Sequence, residues 1–176
     1  MKIKEAKTNL FLVGNRKDEL GGSVYYEINN ELGANVPEID FQQQRNMIYA
    51  IINCIENNLF SSCHDISDGG LFTTIAEMIL GGNADGKIGA LINIDSDLRN
   101  DKILFSETPG FVFEVENKNI SKVKSIFKKY NLEINNIGKT MKNDSLIIIN
   151  NNKEIINLKI EKLKQAWTSG FVDALK

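Results

Sequence analysis

Two adjacent glycines where an apolar strand meets an amphipathic helix constrain this chain more than any other feature: Cys63-His64-Asp65-Ile66-Ser67-Asp68-Gly69-Gly70-Leu71. The leading N–H groups of a helix have no internal partner, and glycines at the turn let an anion approach the backbone with no Cβ in the way. Ser67, Gly69 and Gly70 are therefore candidate phosphate-binding residues. Asp65 and Asp68 add oxygens beside that electropositive end, suited to hold a divalent cation, order the turn or cap the helix. A capped helix after a strand, with no ligand at all, fits the same run, because Gly-Gly at a helix start is a weak signal alone. His64 is the only histidine in the chain, a residue type that changes charge near neutral pH; it is a candidate for proton transfer, for holding substrate or for ordering Asp65.

At 176 residues the chain has room for one core, and the expectation is a single domain over 1–176 with 1–40 as a lead-in strand and loop. A formal net charge of −2 with dispersed Lys and Arg gives no footprint for nucleic acid. Met1 to Glu5 carries no apolar signal core and no run reaches membrane-spanning length, so the expected compartment is the cytoplasm. Cys54 and Cys63 then read as reduced core thiols, too few with one histidine for a structural zinc site.

The apolar run Leu10 to Val13 predicts a strand, followed by a polar loop and a second glycine turn, Gly21-Gly22-Ser23, which serves either as a tight turn or as another close backbone approach to a ligand. Tyr25 and Tyr26 follow, and strand alternation there would bury one of the two. Residues 27 to 39 read as a connector. From Phe41 to Leu59 the spacing is helical, with Met47, Ile51, Ile55 and Leu59 four apart and Ile48 and Ile52 beside them, a helix lying on a sheet. Phe60 to Ile66 returns as a strand, and a helix over Gly69 to Leu80 buries Leu71, Ile75, Met78 and Ile79 before Gly81-Gly82 stops it. An Asp85-Gly86 turn leads to a strand over Lys87 to Ile94. Ile103 to Phe105 enters a polar turn, Ser106 to Gly110. In the next strand, Phe111, Phe113 and Val115 share one face and Val112 and Glu114 the other. Ile120, Val123, Phe127 and Tyr130 mark a helix, and strands are expected near Leu132 to Ile137 and Ser145 to Ile149. A final helix, Leu158 to Leu175, is expected to pack through Leu163, Trp167, Phe171 and Ala174, with Gly170 for close approach. The fold class is α/β, a mixed sheet with packed helices, with part of a split βαβ arrangement. Ligands in such folds sit beyond the carboxyl ends of the strands, where His64 to Gly70 lie.

The run His64-Asp65-Ile66-Ser67-Asp68-Gly69-Gly70-Leu71, with Ala76-Glu77-Met78 on the following helix, resembles the C-terminal domain type of the aminoimidazole ribonucleotide synthase superfamily. The likeness is to the second such domain of the phosphoribosylformylglycinamidine synthases, since the first has an alanine-rich version. Gly14 with Glu19-Leu20-Gly21-Gly22-Ser23-Val24-Tyr25, Leu104-Phe105-Ser106-Glu107-Thr108, Ile137-Gly138-Lys139 and Ala166-Trp167 agree in order. Two family arginines are absent: Ile66 stands for one, and Thr108-Pro109-Gly110 runs straight into Phe111 where the other would precede it. Their loss weakens bidentate anion contacts.

The resemblance implies a ligase of purine biosynthesis that uses ATP, Mg2+ and ammonia from a glutamine amidotransferase subunit or domain to convert formylglycinamide ribonucleotide to its amidine. It implies that this chain is a fragment or subunit, inactive alone. Gly21, Gly22, Ser23, Ser67, Gly69 and Gly70 would bind substrate phosphate, and Asp65, Asp68 and Glu107 would bind metal. His64 would be the catalytic candidate. An ATP-binding N-terminal-type domain would dock near Gly21 to Tyr26 and Glu107, a surface that in the isolated chain would be either exposed and mobile or buried in a homodimer. Another ATP-dependent enzyme of the superfamily, or a structural or regulatory module with a degenerate site, stands as the alternative.

Overall fold

The computed structural model describes residues 2–82 and 87–174, with side chains at 82 and 171–174 excepted. Its elements in chain order are β1 (Asn9–Val13), α1 (Val24–Ile28), α2 (Phe41–Glu56), β2 (Ser62–Ile66), α3 (Gly70–Gly82), β3 (Gly89–Ile94) and α4 (Asn100–Phe105). After these come β4 (Gly110–Val115), a 3-10 turn at Asn117–Asn119, α5 (Ile120–Lys129), β5 (Asn135–Met141), β6 (Ser145–Asn150), β7 (Lys153–Lys159) and α6 (Ile160–Ala174). The strands form one mixed sheet in the order β2-β4-β1-β5-β3-β6-β7. Only β3 and β6 pair in parallel.

Strand alternation sorts the core into two layers. Leu10 and Leu12 of β1, Val112 of β4 and Ile92 of β3 join Leu71, Ile75, Met78 and Ile79 of α3, Leu104 of α4 and Ile160 and Leu163 of α6. Phe11 and Val13 of β1 face the other way, with Phe113 and Val115, onto α2 and α5. There Phe113 stacks between Phe11, 5.9 Å away, Phe127, 5.2 Å away, and Phe60, 4.5 Å away. A cluster of this kind dominates local stability, at about 3–5 kcal/mol per buried Phe truncated to Ala. The expected alternation in β4 is met: Val112 and Glu114 lie opposite Phe113 and Val115. Glu114 is fully buried; it accepts from Lys4 N, Glu5 N, the Thr8 hydroxyl and the Ser62 hydroxyl at 2.7–3.3 Å, which anchors the incoming chain.

Several expectations are corrected. Residues Met47, Ala50, Ile51 and Cys54 form the buried side of α2, while Ile48, Ile52 and Ile55 are exposed. Steps of four advance about 40° past a full turn, so the row that starts on the core face at Met47 and Ile51 has left it by Ile55. Tyr25 and Tyr26 sit on the short helix α1, and both are half-buried. Trp167 is 60% exposed and is no packing anchor; a Cβ at Gly170 would meet nothing, so close approach is absent there too. Strand β7 occupies Lys153 to Lys159, where no element or the start of the last helix was expected, closing a hairpin through Asn151 and Asn152, both at positive φ. Helix α4 also forms where only a lead-in was read. The Asp85-Gly86 turn and the side chains of Phe171 and Ala174 lie outside the described residues.

Candidate functional site

The carboxyl ends of β1, β2 and β3 and the amino ends of β4 and β5 meet at one edge of the sheet, and the segments singled out in the sequence gather there. The turn between α4 and β4 connects them. Glu107 Oε1 accepts from Gly69 N at 2.8 Å and from Val24 N at 3.0 Å, so one carboxylate oxygen ties the Ser67–Gly70 loop to the start of α1. Glu19, itself buried, accepts from the Thr108 hydroxyl at 2.7 Å and from Glu38 N at 3.3 Å.

The glycines are demanded by the fold. Gly69 and Gly70 have φ of +78° and +68°. A Cβ at Gly70 would lie 2.8 Å from Leu104 O and from Phe105 backbone atoms, so α3 starts directly against the end of α4. Gly70 N donates to Ser67 O at 3.0 Å. In the other glycine turn, Gly21 N donates to Asn35 O, Gly22 N to Leu32 O and Ser23 N to Leu20 O. The Ser23 hydroxyl donates to Leu20 O at 2.7 Å and accepts from Tyr26 N as the N-cap of α1. The backbone donors of Gly21, Gly22, Ser23, Gly69 and Gly70 are thus engaged within the chain, with a carboxylate already at Gly69.

His64, nearly buried on β2, lies between two carboxylates, with Nε2 2.9 Å from Glu77 Oε2 and Nδ1 3.2 Å from Asp65 Oδ1. The imidazole is held in one orientation, and Thr74 of α3 further ties the helix to β2 by donating to Asp65 O at 3.1 Å. Asp68 is exposed. Among the described residues no group of three or more His, Cys, Asp or Glu side chains could hold a metal ion, Asp65, Asp68 and Glu107 included; single carboxylates of this kind hold Mg2+ only together with other ligands such as substrate phosphates.

The two positions lacking the family arginines are neighbours, since Ile66 pairs with Gly110 across β2 and β4. Arg16 fills this space: a Cβ at Gly110 would lie 2.8 Å from its terminal nitrogen and 3.4 Å from Ile66 Cδ1. The guanidinium donates to Thr108 O at 2.6 Å, Gly14 O at 3.1 Å, and Ser106 O and Pro109 O at 3.4 Å, while its Nε is buried without a partner. Burial lowers its pKa to about 10, opposed by the charge of Glu19, so it remains a cation at neutral pH. Beside it, a cavity of about 380 Å³ is floored by Leu12, Leu71 and Ile103 and rimmed by Asn15, Asn93 and Asp95.

The sequence reading missed Arg16, Glu77 and Glu19 as members of this site. For Glu77 a signal existed, because seven residues after Gly70 is two helical turns and returns to the same face. Arg16 gave none, since three of its four carbonyl partners lie about ninety residues away.

A family model described as "AIR synthase related protein, C-terminal domain" matches residues 8–150. Phosphoribosylformylglycinamidine synthase subunit PurL of Methanothrix thermoacetophila is 38% identical over 177 residues, covering 100% of this chain and 23% of that protein. The subunit of the same name from Thermococcus sibiricus is 31% identical, covering 96% and 23%. Phosphoribosylformylglycinamidine synthase of Dictyostelium discoideum is 32% identical, covering 93% and 13%. In fold, the chain is similar to T. maritima PurL complexed with FGAR, with a TM-score of 0.77, 16% identity and coverage of 92% of this chain and 28% of that one. This chain therefore spans about a quarter of the length of the PurL subunits it matches.

Proposed function

From a chain that belongs to the AIR synthase related family as a C-terminal domain of the PurL type, we propose that it is a part of a phosphoribosylformylglycinamidine synthase and forms one wall of its ribonucleotide site. The complete enzyme would convert formylglycinamide ribonucleotide to its amidine with ATP, Mg2+ and ammonia from a glutamine amidotransferase. The observation that carries this reading is Glu107 Oε1 bridging Gly69 N and Val24 N, which draws the two glycine turns to one end of the sheet. A carboxylate at the head of α3 marks a place where the backbone holds negative charge. In the assembled enzyme a substrate phosphate would bind beside Ser67 and reach Gly69 by displacing Glu107, with Arg16 contributing positive potential. Gly21, Gly22 and Ser23 would act by shaping the adjoining turn.

Magnesium and the nucleotide would be held mainly by an ATP-binding domain outside this chain, with Asp65 or Asp68 contributing at most single ligands. His64, fixed between Asp65 and Glu77, would hydrogen-bond substrate or position Asp65. Activating an amide oxygen requires all reactants in one closed site, so the chain alone would not turn over. A structural module without ligand is the second reading, favoured by the internal engagement of the glycine donors. Titrating inorganic phosphate and the ribonucleotide against amide chemical shifts separates the two. Shifts confined to residues 64–71 and 107, strengthened in Glu107→Gln, support the binding wall; a flat response in both proteins, and again in complex with the ATP-binding domain, leaves the structural module.

A further inference from the structure

Eleven large apolar residues are exposed among the described residues, and ten of them lie between Val24 and Ile55. On α2 they are not scattered. Phe41, Arg45, Ile48, Ile52 and Ile55 follow steps of four, three, four and three, all exposed, as a row bordering the buried face of Met47, Ala50, Ile51 and Cys54. That alternation has the spacing of a coiled-coil seam, and 16 residues give the helix a length of about 24 Å. Only two residues of α2 are charged, Arg45 and Glu56. The amino end of the helix is capped by the Asp40 carboxylate, which accepts from Gln43 N at 3.0 Å, whereas Glu56 sits at the carboxyl end, where the partial charge is negative and no basic residue in the last turn compensates it. Arg45 is held on the outer face over the ring of Tyr49, 5.4 Å from its centroid.

We propose that α2 is an isologous interface at which a second copy of this chain docks its own α2 in antiparallel orientation. With a two-fold axis level with residue 50, Ile48 packs on Ile52 of the second copy, and Arg45 comes beside its Glu56 at both ends of the seam. A parallel pair would instead set Arg45 against Arg45 and Glu56 against Glu56. The antiparallel arrangement places a cation at each helix carboxyl end and covers an apolar strip of a kind that monomers rarely leave in water. This surface is separate from the loop end of the sheet, so its failure would leave the proposed substrate wall untouched.

Sedimentation equilibrium of the 176-residue chain at tens of micromolar tests the proposal. A dimer is expected, and Ile52→Glu should make it monomeric with an unchanged far-ultraviolet spectrum, since the side chain is exposed. Arg45→Glu and Glu56→Arg should each weaken the dimer about tenfold or more, and the double swap should return it to within about threefold of the original. A monomer at all concentrations overturns the proposal, as does a dimer indifferent to Ile52→Glu or a double swap no better than the singles. Slowed hydrogen exchange over 41–56 only on mixing with an ATP-binding synthase domain would overturn it too, by giving the seam a different occupant.

Discussion

Glu114 and Glu107 lie at opposite ends of β4 and do opposite things with the same side chain. Glu114 is inaccessible to solvent and is surrounded by four donors, two from the incoming backbone and two hydroxyls. Glu107 is half-buried and uses one oxygen for two backbone donors. A saturated carboxylate has nothing left to offer a ligand and serves the fold alone. One that is held by a single oxygen at a helix start leaves backbone donors for which another anion can compete, so the two ends of the strand differ in what they can still exchange.

Removing Glu114 should cause the largest loss. Glu114→Ala strands four polar groups around an apolar cavity and should cost about 3–5 kcal/mol in urea unfolding; a loss under about 1 kcal/mol would erase the distinction between the two ends. Gly70→Ala comes next, at about 2–3 kcal/mol, because it combines a positive φ with a Cβ driven into Leu104 and Phe105. Glu107→Ala should cost only about 1–2 kcal/mol but should accelerate hydrogen exchange at residues 20–24 and 67–70. If it instead loosened the residue 4–8 segment, the two ends would be energetically one.

The smallest effect is a thiol readout on β2, between the two carboxylates. Burial pushes the Cys63 thiol up to about 12 from 9.0, so alkylation at pH 8 should be slow. A raised folded value means that this contribution to stability is complete below about pH 9 and fades as pH climbs toward 12, and Cys63→Ala should flatten that part of the pH profile. Glu114→Ala should speed alkylation more than Glu107→Ala does.

Elements whose signal is local were legible in the sequence. The alternation in β4, the 3–4 spacing of α5 and the glycine junction before α3 each stand on neighbouring residues, and each is found. What escaped depends on distant partners. Strand β7 has weak alternation of its own and is held by β6 through an Asn-Asn hairpin. Trp167 reads as core by residue type, but α6 from Lys164 to Gly170 faces solvent. The resemblance marked loops that do lie together, yet it could not foresee that Glu107 would already occupy the backbone donor at Gly69, or that Arg16 would fill the space over the Ile66–Gly110 pair.

The position of β1 in the sheet sets the order in which the chain can fold. It is the first strand in this sequence and lies inside the sheet, yet its neighbours are β4 and β5, with Val13 opposite Phe111 and Asn9 opposite Lys139. Emerging at its usual pace from a ribosome, Leu10 to Val13 must wait about a hundred residues for a partner, while β6 and β7 can close their hairpin at once. Folding of this domain should therefore begin in the late half of the sequence and finish when β1 is drawn in. Until then that segment is an unpaired apolar strand, and the waiting period is when this chain is most exposed to aggregation and most in need of a chaperone.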